Sequence, residues 1–328
     1  MKVLVTGAGG FIGSILLKVL EQSGHVGAQR ISAVAALDRQ LPDTPAGIRR
    51  MEGDLHDPVV QDQIGAFAPD VCFHLAAVPG GAAEADPALS RRVNLDATLD
   101  LFETLAASRA AAGLAPTVVV YASTIAVYGS PLPDPVTPLT PTRPPMVYGA
   151  HKLACEIILA DFTRRGLLDG RSLRLPGIVA RPRAPSGLVS AFMSDLMHAL
   201  AAGEPFTCPV GPEATAWWMS ARRCAQNLVH AAVMNPAGDA ARAWPLPVLH
   251  LSIGEVIHTL SAVYTVDGGR LVTHAPQPSV EAVFGRYPVL DDRASRSLGL
   301  RDDGAAEDLV RRALEADFID AEGDRDWR

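Results

Sequence analysis

The chain has 328 residues, of which 48% are hydrophobic and 20% charged, and its net charge is −7. That length buries a large core and fits one big α/β domain or two lobes, and the hydrophobicity excludes intrinsic disorder. The acidic balance argues against a general binder of nucleic acid or of anionic membrane, yet it admits a small anionic substrate held by one or two local cations.

In chain order, Lys2–Thr6 is a short apolar run suited to a strand, and Phe11–Leu20 follows with Ile12, Leu16 and Leu20 at helical spacing. Ser32–Asp38 and Val71–Ala76 suit buried strands, with a helix over Pro58–Phe67 between them. A helix over Pro87–Ala112 leads to Pro116–Ala122, the most β-branched stretch. A further helix over Tyr148–Arg165 leads to a strand over Arg171–Leu175. Such alternation predicts a parallel sheet covered on both faces and joined by right-handed crossovers. Pro131–Pro145 holds seven prolines in fifteen residues and reads as a stiff loop, and Arg181–Gly187 is a second Pro-rich loop. Helical pieces follow at Leu188–Ala202, Arg222–Met234 and Ala305–Glu315. The expected fold is α/β, a doubly wound parallel sheet with a smaller C-terminal substrate lobe. Residues 1–177 form the first domain and 178–328 mostly the lobe, with some segments returning to the main domain.

The four cysteines, Cys72, Cys155, Cys208 and Cys224, show no C-x-x-C or His-rich spacing and read as reduced thiols, with no metal site expected. Met1–Thr6 leads straight into glycines without an export cleavage site, and no apolar stretch approaches the ~20 residues that span a bilayer. A soluble cytoplasmic protein is expected.

Gly7, Gly10 and Gly13 follow the first strand and open an amphipathic helix. Glycines there permit a tight turn and let the backbone approach a pyrophosphate, which the helix N-terminus attracts through its unpaired N–H groups. Asp38 closes the next strand, where its carboxylate accepts bonds from the adenosine ribose and repels a 2′-phosphate; this favours NAD over NADP, moderated by Arg39 beside it. Asp54 and Leu55, after a third short strand, are placed to meet the adenine ring.

Tyr148 and Lys152 lie four apart and so share one helix face. A phenol acting as a base near neutral pH needs its pKa lowered by about three units, or about 4 kcal/mol. A neighbouring ammonium and a positively charged nicotinamide both favour the phenolate. Tyr121–Gly129 adds hydroxyls at a strand's C-terminal end, with Thr124 standing 24 residues before Tyr148.

Together Gly7–Gly13, Phe73-His74-Leu75-Ala76-Ala77, Ser123-Thr124…Val127-Tyr128-Gly129 and Tyr148…Lys152 resemble the extended short-chain dehydrogenase/reductase family, in its epimerase/dehydratase form. The resemblance covers most of the first 180 residues and implies a Rossmann-type NAD-binding domain. It makes Thr124 the hydroxyl that bonds the reacting oxygen, with Ser123 its substrate-side neighbour. Tyr148 becomes the general acid/base, and Lys152 its pKa-lowering, ribose-binding partner. Phe11, Ile12, Leu75, Ala76 and Ala77 line the cofactor, Asn94 supports it, and Pro176-Gly177-Ile178 pack by the nicotinamide. His74 orients backbone. The resemblance also implies a homodimer through the helices at Pro87–Ala112 and Tyr148–Arg165, with Leu95, Leu99, Phe102, Ile158 and Phe162 serving that face or the core.

Two substrate readings compete. Nucleotide-sugar members of the family carry an Arg before an aromatic and then an acidic pair in the substrate lobe; here Thr215–Arg223 lacks that Arg and has Ala221-Arg222 in place of the pair. Losing a diphosphate clamp and gaining a cation suits a small carboxylate, held by Arg222 or Arg183. Asp169–Pro176, Cys208-Pro209-Val210 and Asn227–Ala231 are similar to the D-erythronate dehydrogenase group, whose members oxidise the C2 hydroxyl of a four-carbon sugar acid with NAD. The alternatives are a nucleotide-sugar 4-epimerase or dehydratase and, of another class, a non-catalytic NAD-binding regulator or scaffold.

Overall fold

The computed structural model describes residues 1–315, apart from 43, 184–188, 237 and 239. Seven strands form one sheet: β1 (Lys2–Thr6), β2 (Ala33–Asp38), β3 (Arg49–Glu52), β4 (Val71–His74), β5 (Val118–Thr124), β6 (Asp169–Leu175) and, at the far edge, Ala243–Pro245. The spatial order is β3-β2-β1-β4-β5-β6 followed by that edge strand, and every pairing is parallel. This is the order of a doubly wound dinucleotide-binding sheet, which reverses direction beside its first strand.

Val3, Leu4 and Val5 have no exposed surface, as a strand covered on both faces requires. Val3 and Val5 point to one layer, where they meet α1 (Phe11–Ser23) and Leu228 and Val229 of the helix Ala221–Ala231. Leu4 points to the other, where it meets α2 (Pro58–Phe67), α3 (Ala97–Ala111) and α4 (Val147–Arg164). Thus a helix and an edge strand from beyond residue 177 belong to the layers of the main sheet.

The remaining C-terminal segments build a second core. Gly177–Val179 leaves the main sheet and pairs with Thr215–Ser220, which also pairs antiparallel with Leu249–Ser252. The helices α5 (Ala191–Ala201) and Ile253–Tyr264 cover this small sheet through Phe192, Leu196, Met197, Val256 and Leu260. No helix among the described residues is long and apolar enough to cross a membrane.

Three expectations differ from the structure. The single helix over Pro87–Ala112 is interrupted by a π-helical segment, Arg91–Asp96, between Pro87–Ser90 and α3. The wider turn carries Asn94 into a buried position where its amide finds three partners. β4 stops at His74, two residues before the expected end, because Leu75 and Ala76 turn back to bond Thr6. Thr215–Ser220 is a strand that periodicity misses, since Trp217 and Trp218 are buried on opposite faces and no alternation of polarity marks it. Residue 188, where the helix before Ala202 was expected to begin, lies outside the described residues.

Candidate active site

The C-terminal edge of the main sheet opens on a cleft of about 370 Å³. At one end Gly7 takes φ +70°, and a Cβ there would stand 2.6 Å from Ala76 N; a Cβ on Gly13 would stand 2.1 Å from Gly7 O. Both positions therefore require glycine. α1 begins after Gly10 with no side-chain cap and no acidic residue in its first turn, and Gly10, Phe11, Ile12 and Gly13 all line the cleft. Asp38 ends β2 beside this turn, its Oδ2 accepting from Gly9 N (3.0 Å) and its Oδ1 from Arg39 N (2.7 Å).

Leu75 and Ala77 form one wall, and the loop carrying them is tied down from below. Ala76 N donates to Thr6 Oγ1 (3.4 Å), which pairs with His74 Nδ1 (2.6 Å); His74 Nε2 pairs with Thr98 Oγ1 (3.0 Å), which donates to Asn94 O (3.1 Å). Because the Thr98 hydrogen goes to Asn94 O, this network assigns the His74 proton to Nε2. The Asn94 amide grips Val78 at both N (2.7 Å) and O (3.0 Å) without lining the cleft itself.

The other end holds the hydroxyls. Thr124 is the last residue of β5, and its Oγ1 accepts from Ala126 N (3.1 Å), so its hydrogen is left to donate into the cleft. Tyr148 and Lys152 project from the first turns of α4, with the Lys152 ammonium 5.9 Å from the Tyr148 ring centroid. Lys152 is 1% exposed, donates to Ala122 O (2.8 Å) and sits 4.6 Å from the Tyr121 ring centroid. Ser123, Pro176 and Ile178 complete this end. Arg181 also lines the cleft, near enough to Tyr148 for its charge to act on the phenol, with its guanidinium 5.7 Å from the Phe11 ring centroid. The Arg181 backbone is held at both ends by α5: its N donates to Ser194 Oγ (3.0 Å), and its O accepts from His198 Nε2 (2.8 Å).

Residues 3–243 match the NAD dependent epimerase/dehydratase family. The chain belongs to this family. It is 35% identical to the D-erythronate dehydrogenase of Cupriavidus necator over 96% of this chain and 98% of that one, and 28% identical to that of Haemophilus influenzae over 97% and 100%. The solved structure of a nucleoside-diphosphate-sugar epimerase from Agrobacterium tumefaciens superposes with a TM-score of 0.89 at 30% identity, covering 97% of this chain and 94% of that one. As a family member the protein is an NAD-dependent enzyme of the short-chain dehydrogenase/reductase type.

The cleft suits NAD on its own geometry. The uncapped start of α1 offers N–H groups and a positive dipole end to a pyrophosphate, and the two glycines that admit no Cβ let the backbone come close. Asp38, expected to accept from the ribose hydroxyls, stands beside this turn bonded to Gly9 N and Arg39 N and is not among the cleft-lining residues. Among the described residues, no cluster of three or more His, Cys, Asp or Glu suits a metal ion. A larger open groove, about 680 Å³, runs past Glu213 and His258 on the smaller lobe and includes none of these groups.

Other expected site residues stand away from the cleft. Leu55 sends its side chain into the core beside Val60 and Ile64, and Asp54 bonds His56 N (3.0 Å) in its own loop; neither lines the cleft. Arg183 is half exposed and pairs with Glu204 (2.7 Å), and Arg222 stands in the first turn of the helix Ala221–Ala231; neither is among the cleft-lining residues. The cleft arginine is Arg181, which sequence reasoning passed over as the start of a Pro-rich loop. The available signal was its position as the first charged residue after the Pro176-Gly177-Ile178 wall.

Electrostatics also differ from expectation. Burial pushes the Tyr148 phenol up to about 12, opposed by Arg181 and not by Lys152. Burial lowers Lys152 to about 8, opposed by Cys155 and Glu156. His74 is lowered to about 3 by burial and then by Lys152, so it is held neutral. Its folded pKa lies below its ordinary value of 6.5, so its contribution to stability is full above that pH and declines as pH falls towards about 3. At about pH 5 the loss from this one group is about 2 kcal/mol. Urea unfolding between pH 7 and 4.5 should show the decline, and His74→Gln should flatten it; equal slopes in both proteins would contradict a neutral buried imidazole.

Proposed function

We propose that this protein oxidises the hydroxyl beside the carboxylate of a small sugar acid, D-erythronate or a close relative, to the 2-keto acid. The observation that carries this reading is Arg181. It is the arginine among the cleft-lining residues, near enough to Tyr148 to favour its phenolate, and its guanidinium also lies 5.7 Å from the ring centroid of Phe11 at the start of α1. A guanidinium binds a carboxylate bidentately, and the two relatives named D-erythronate dehydrogenase align over nearly the whole chain.

In this mechanism Arg181 holds the carboxylate and so presents C2 and its hydroxyl to Thr124 and Tyr148. Thr124 Oγ1 donates to the C2 oxygen and orients it. Tyr148, as phenolate, takes the hydroxyl proton as the C2–O bond becomes a carbonyl. NAD, when bound, supplies the acceptor for the hydride that leaves C2. Tyr148 lies at about 12 in the protein alone, and a substrate carboxylate neutralises much of the help Arg181 gives it. The ammonium of Lys152 is then the protein's remaining cation at the phenol, and turnover in the oxidative direction should rise with pH until Lys152 loses its proton near 8.

A nucleotide-sugar 4-epimerase is the second reading. It is favoured by the likeness to the nucleoside-diphosphate-sugar epimerase of Agrobacterium tumefaciens and to a 32% identical UDP-glucose 4-epimerase of Mycolicibacterium smegmatis, which aligns over 60% of this chain. The missing Arg before Trp217 counts against it. On either reading the soluble cofactor fits a cytoplasmic enzyme. A homodimer would bury the outer faces of α3 and α4, where Leu99 and Ile158 are half-buried and Ile157 is 63% exposed. Sedimentation should give a dimer that Ile157→Glu weakens; a monomer at micromolar concentration would end that proposal.

NADH appearance with NAD and D-erythronate tests the main reading, with NADP and UDP-glucose in parallel. A flat trace beside UDP-glucose epimerisation would replace it by the second reading. Tyr148→Phe should lower kcat about 1000-fold while NAD affinity stays within about threefold, whereas a cofactor-sensing scaffold would lose little. Arg181→Met should raise KM for the acid by ~30-fold, about 2 kcal/mol, and leave NAD binding intact. Arg183→Met should act like the parent, and the reverse ranking of the two arginines would return the carboxylate to the sequence-based assignment.

A further inference from the structure

Beneath the cleft lies a charged group that the mechanism above does not use. Glu156 is 3% exposed and Arg174 has 13% of its side chain exposed, and the two make a fork: Arg174 Nε reaches both carboxylate oxygens (3.1 and 3.3 Å) and Nη2 reaches Oε2 (2.8 Å). Ser123 Oγ donates to Glu156 Oε1. Arg174 Nη1 donates to Tyr128 Oη (3.2 Å), and its guanidinium stands 5.1 Å from that ring's centroid. Four elements meet here: β5 through Ser123, the turn after it through Tyr128, β6 through Arg174 and α4 through Glu156.

Each arm ends next to a reacting position. Ser123 and Arg174 are register partners, as are Thr124 and Leu175, so the clasp spans the sheet one residue below the hydroxyl and the Leu175-Pro176 wall. Glu156 is one helical turn from Lys152 and two from Tyr148, on the same face of α4. A buried ion pair is a poor source of stability, because desolvation offsets most of its attraction and an apolar pair of similar volume does as well. What the pair provides is direction: a bidentate fork fixes both distance and angle, which apolar contact does not.

We propose that Glu156 and Arg174 are positioning residues, a clasp that sets Tyr148 and Lys152 on α4 at the right height and tilt against Thr124 on β5. The proposal rests on the assignment of those three groups as the reacting constellation. Neither Glu156 nor Arg174 lines the cleft, and the pair acts by keeping the helix from rolling on the sheet. Hydride and proton transfer depend on geometry at the ångström level, so a small roll suffices to lower kcat while binding persists.

The test uses the full chain and NADH appearance with D-erythronate, beside amide hydrogen exchange with NAD present. The double variant Glu156→Leu, Arg174→Met removes both charges together and should keep a parent-like melting temperature and an NAD affinity within about threefold. Its kcat should fall at least ~10-fold with little change in KM, and exchange should rise at 123–128 and 148–152. Ser123→Ala, a milder cut that leaves the ion pair whole, should lower kcat several-fold and serves if the double variant does not fold. Unchanged kcat at equal folded fraction, or unchanged exchange in both stretches, overturns the clasp. A parent inert towards D-erythronate would instead defeat the substrate reading, and exchange alone would then decide the clasp. If Tyr148→Phe stays active, the reacting constellation is misassigned and the proposal falls with it.

Discussion

Much of this molecule is arranged around one buried ammonium. Lys152 has almost no contact with solvent, yet it must stay charged if it is to act on Tyr148 as proposed. Burial drives it towards neutrality, and the surroundings answer with the Ala122 carbonyl, the face of Tyr121 and the nearby carboxylate of Glu156. Those partners come from the centre of the sheet and from the same helix. On the proposed mechanism the position of α4 across β5 is therefore a requirement of the chemistry as well as of the packing.

The two ends of the cleft are built on different principles. The cofactor end is mostly backbone: a glycine turn, an open helix start and a loop held by the chain of bonds from Ala76 to Asn94. Backbone groups recognise what all dinucleotides share, and Asp38 beside the turn is the side chain from which selectivity between NAD and NADP is expected. The substrate end is side chain, supplied by β5, α4 and the segment after Gly177–Val179. Variation at this end can change the substrate class without disturbing the other.

This division explains what the sequence reveals. Strand, glycine turn, helix and acidic residue are contiguous between Lys2 and Asp38, and Tyr148 and Lys152 are one helical turn apart, so local spacing is enough to find them. Arg181 is different. It reaches the cleft because the chain leaves the main sheet at Gly177 and joins Thr215–Ser220, a pairing across roughly forty residues that no local pattern announces. Arg183 lies two residues farther on and pairs with Glu204, although by composition the two arginines are equivalent candidates. The π-turn that buries Asn94 and the clasp of Ser123, Glu156 and Arg174 are likewise products of tertiary packing, and their residues look unremarkable in the chain.

The manner in which Arg181 is mounted has its own consequence. Its peptide is fastened at both ends to consecutive turns of α5, by Ser194 and His198, so the backbone that carries the guanidinium moves with that helix. The spacing between the cation and Tyr148 is then a ruler set by where α5 docks on the smaller lobe. Repacking Phe192, Leu196 or Met197 beneath the helix lengthens or shortens that ruler without touching any group that meets the substrate. If Arg181 holds the acid as proposed, chain-length selectivity among related acids is written in a hydrophobic core, at positions that an inspection of the cleft alone passes over.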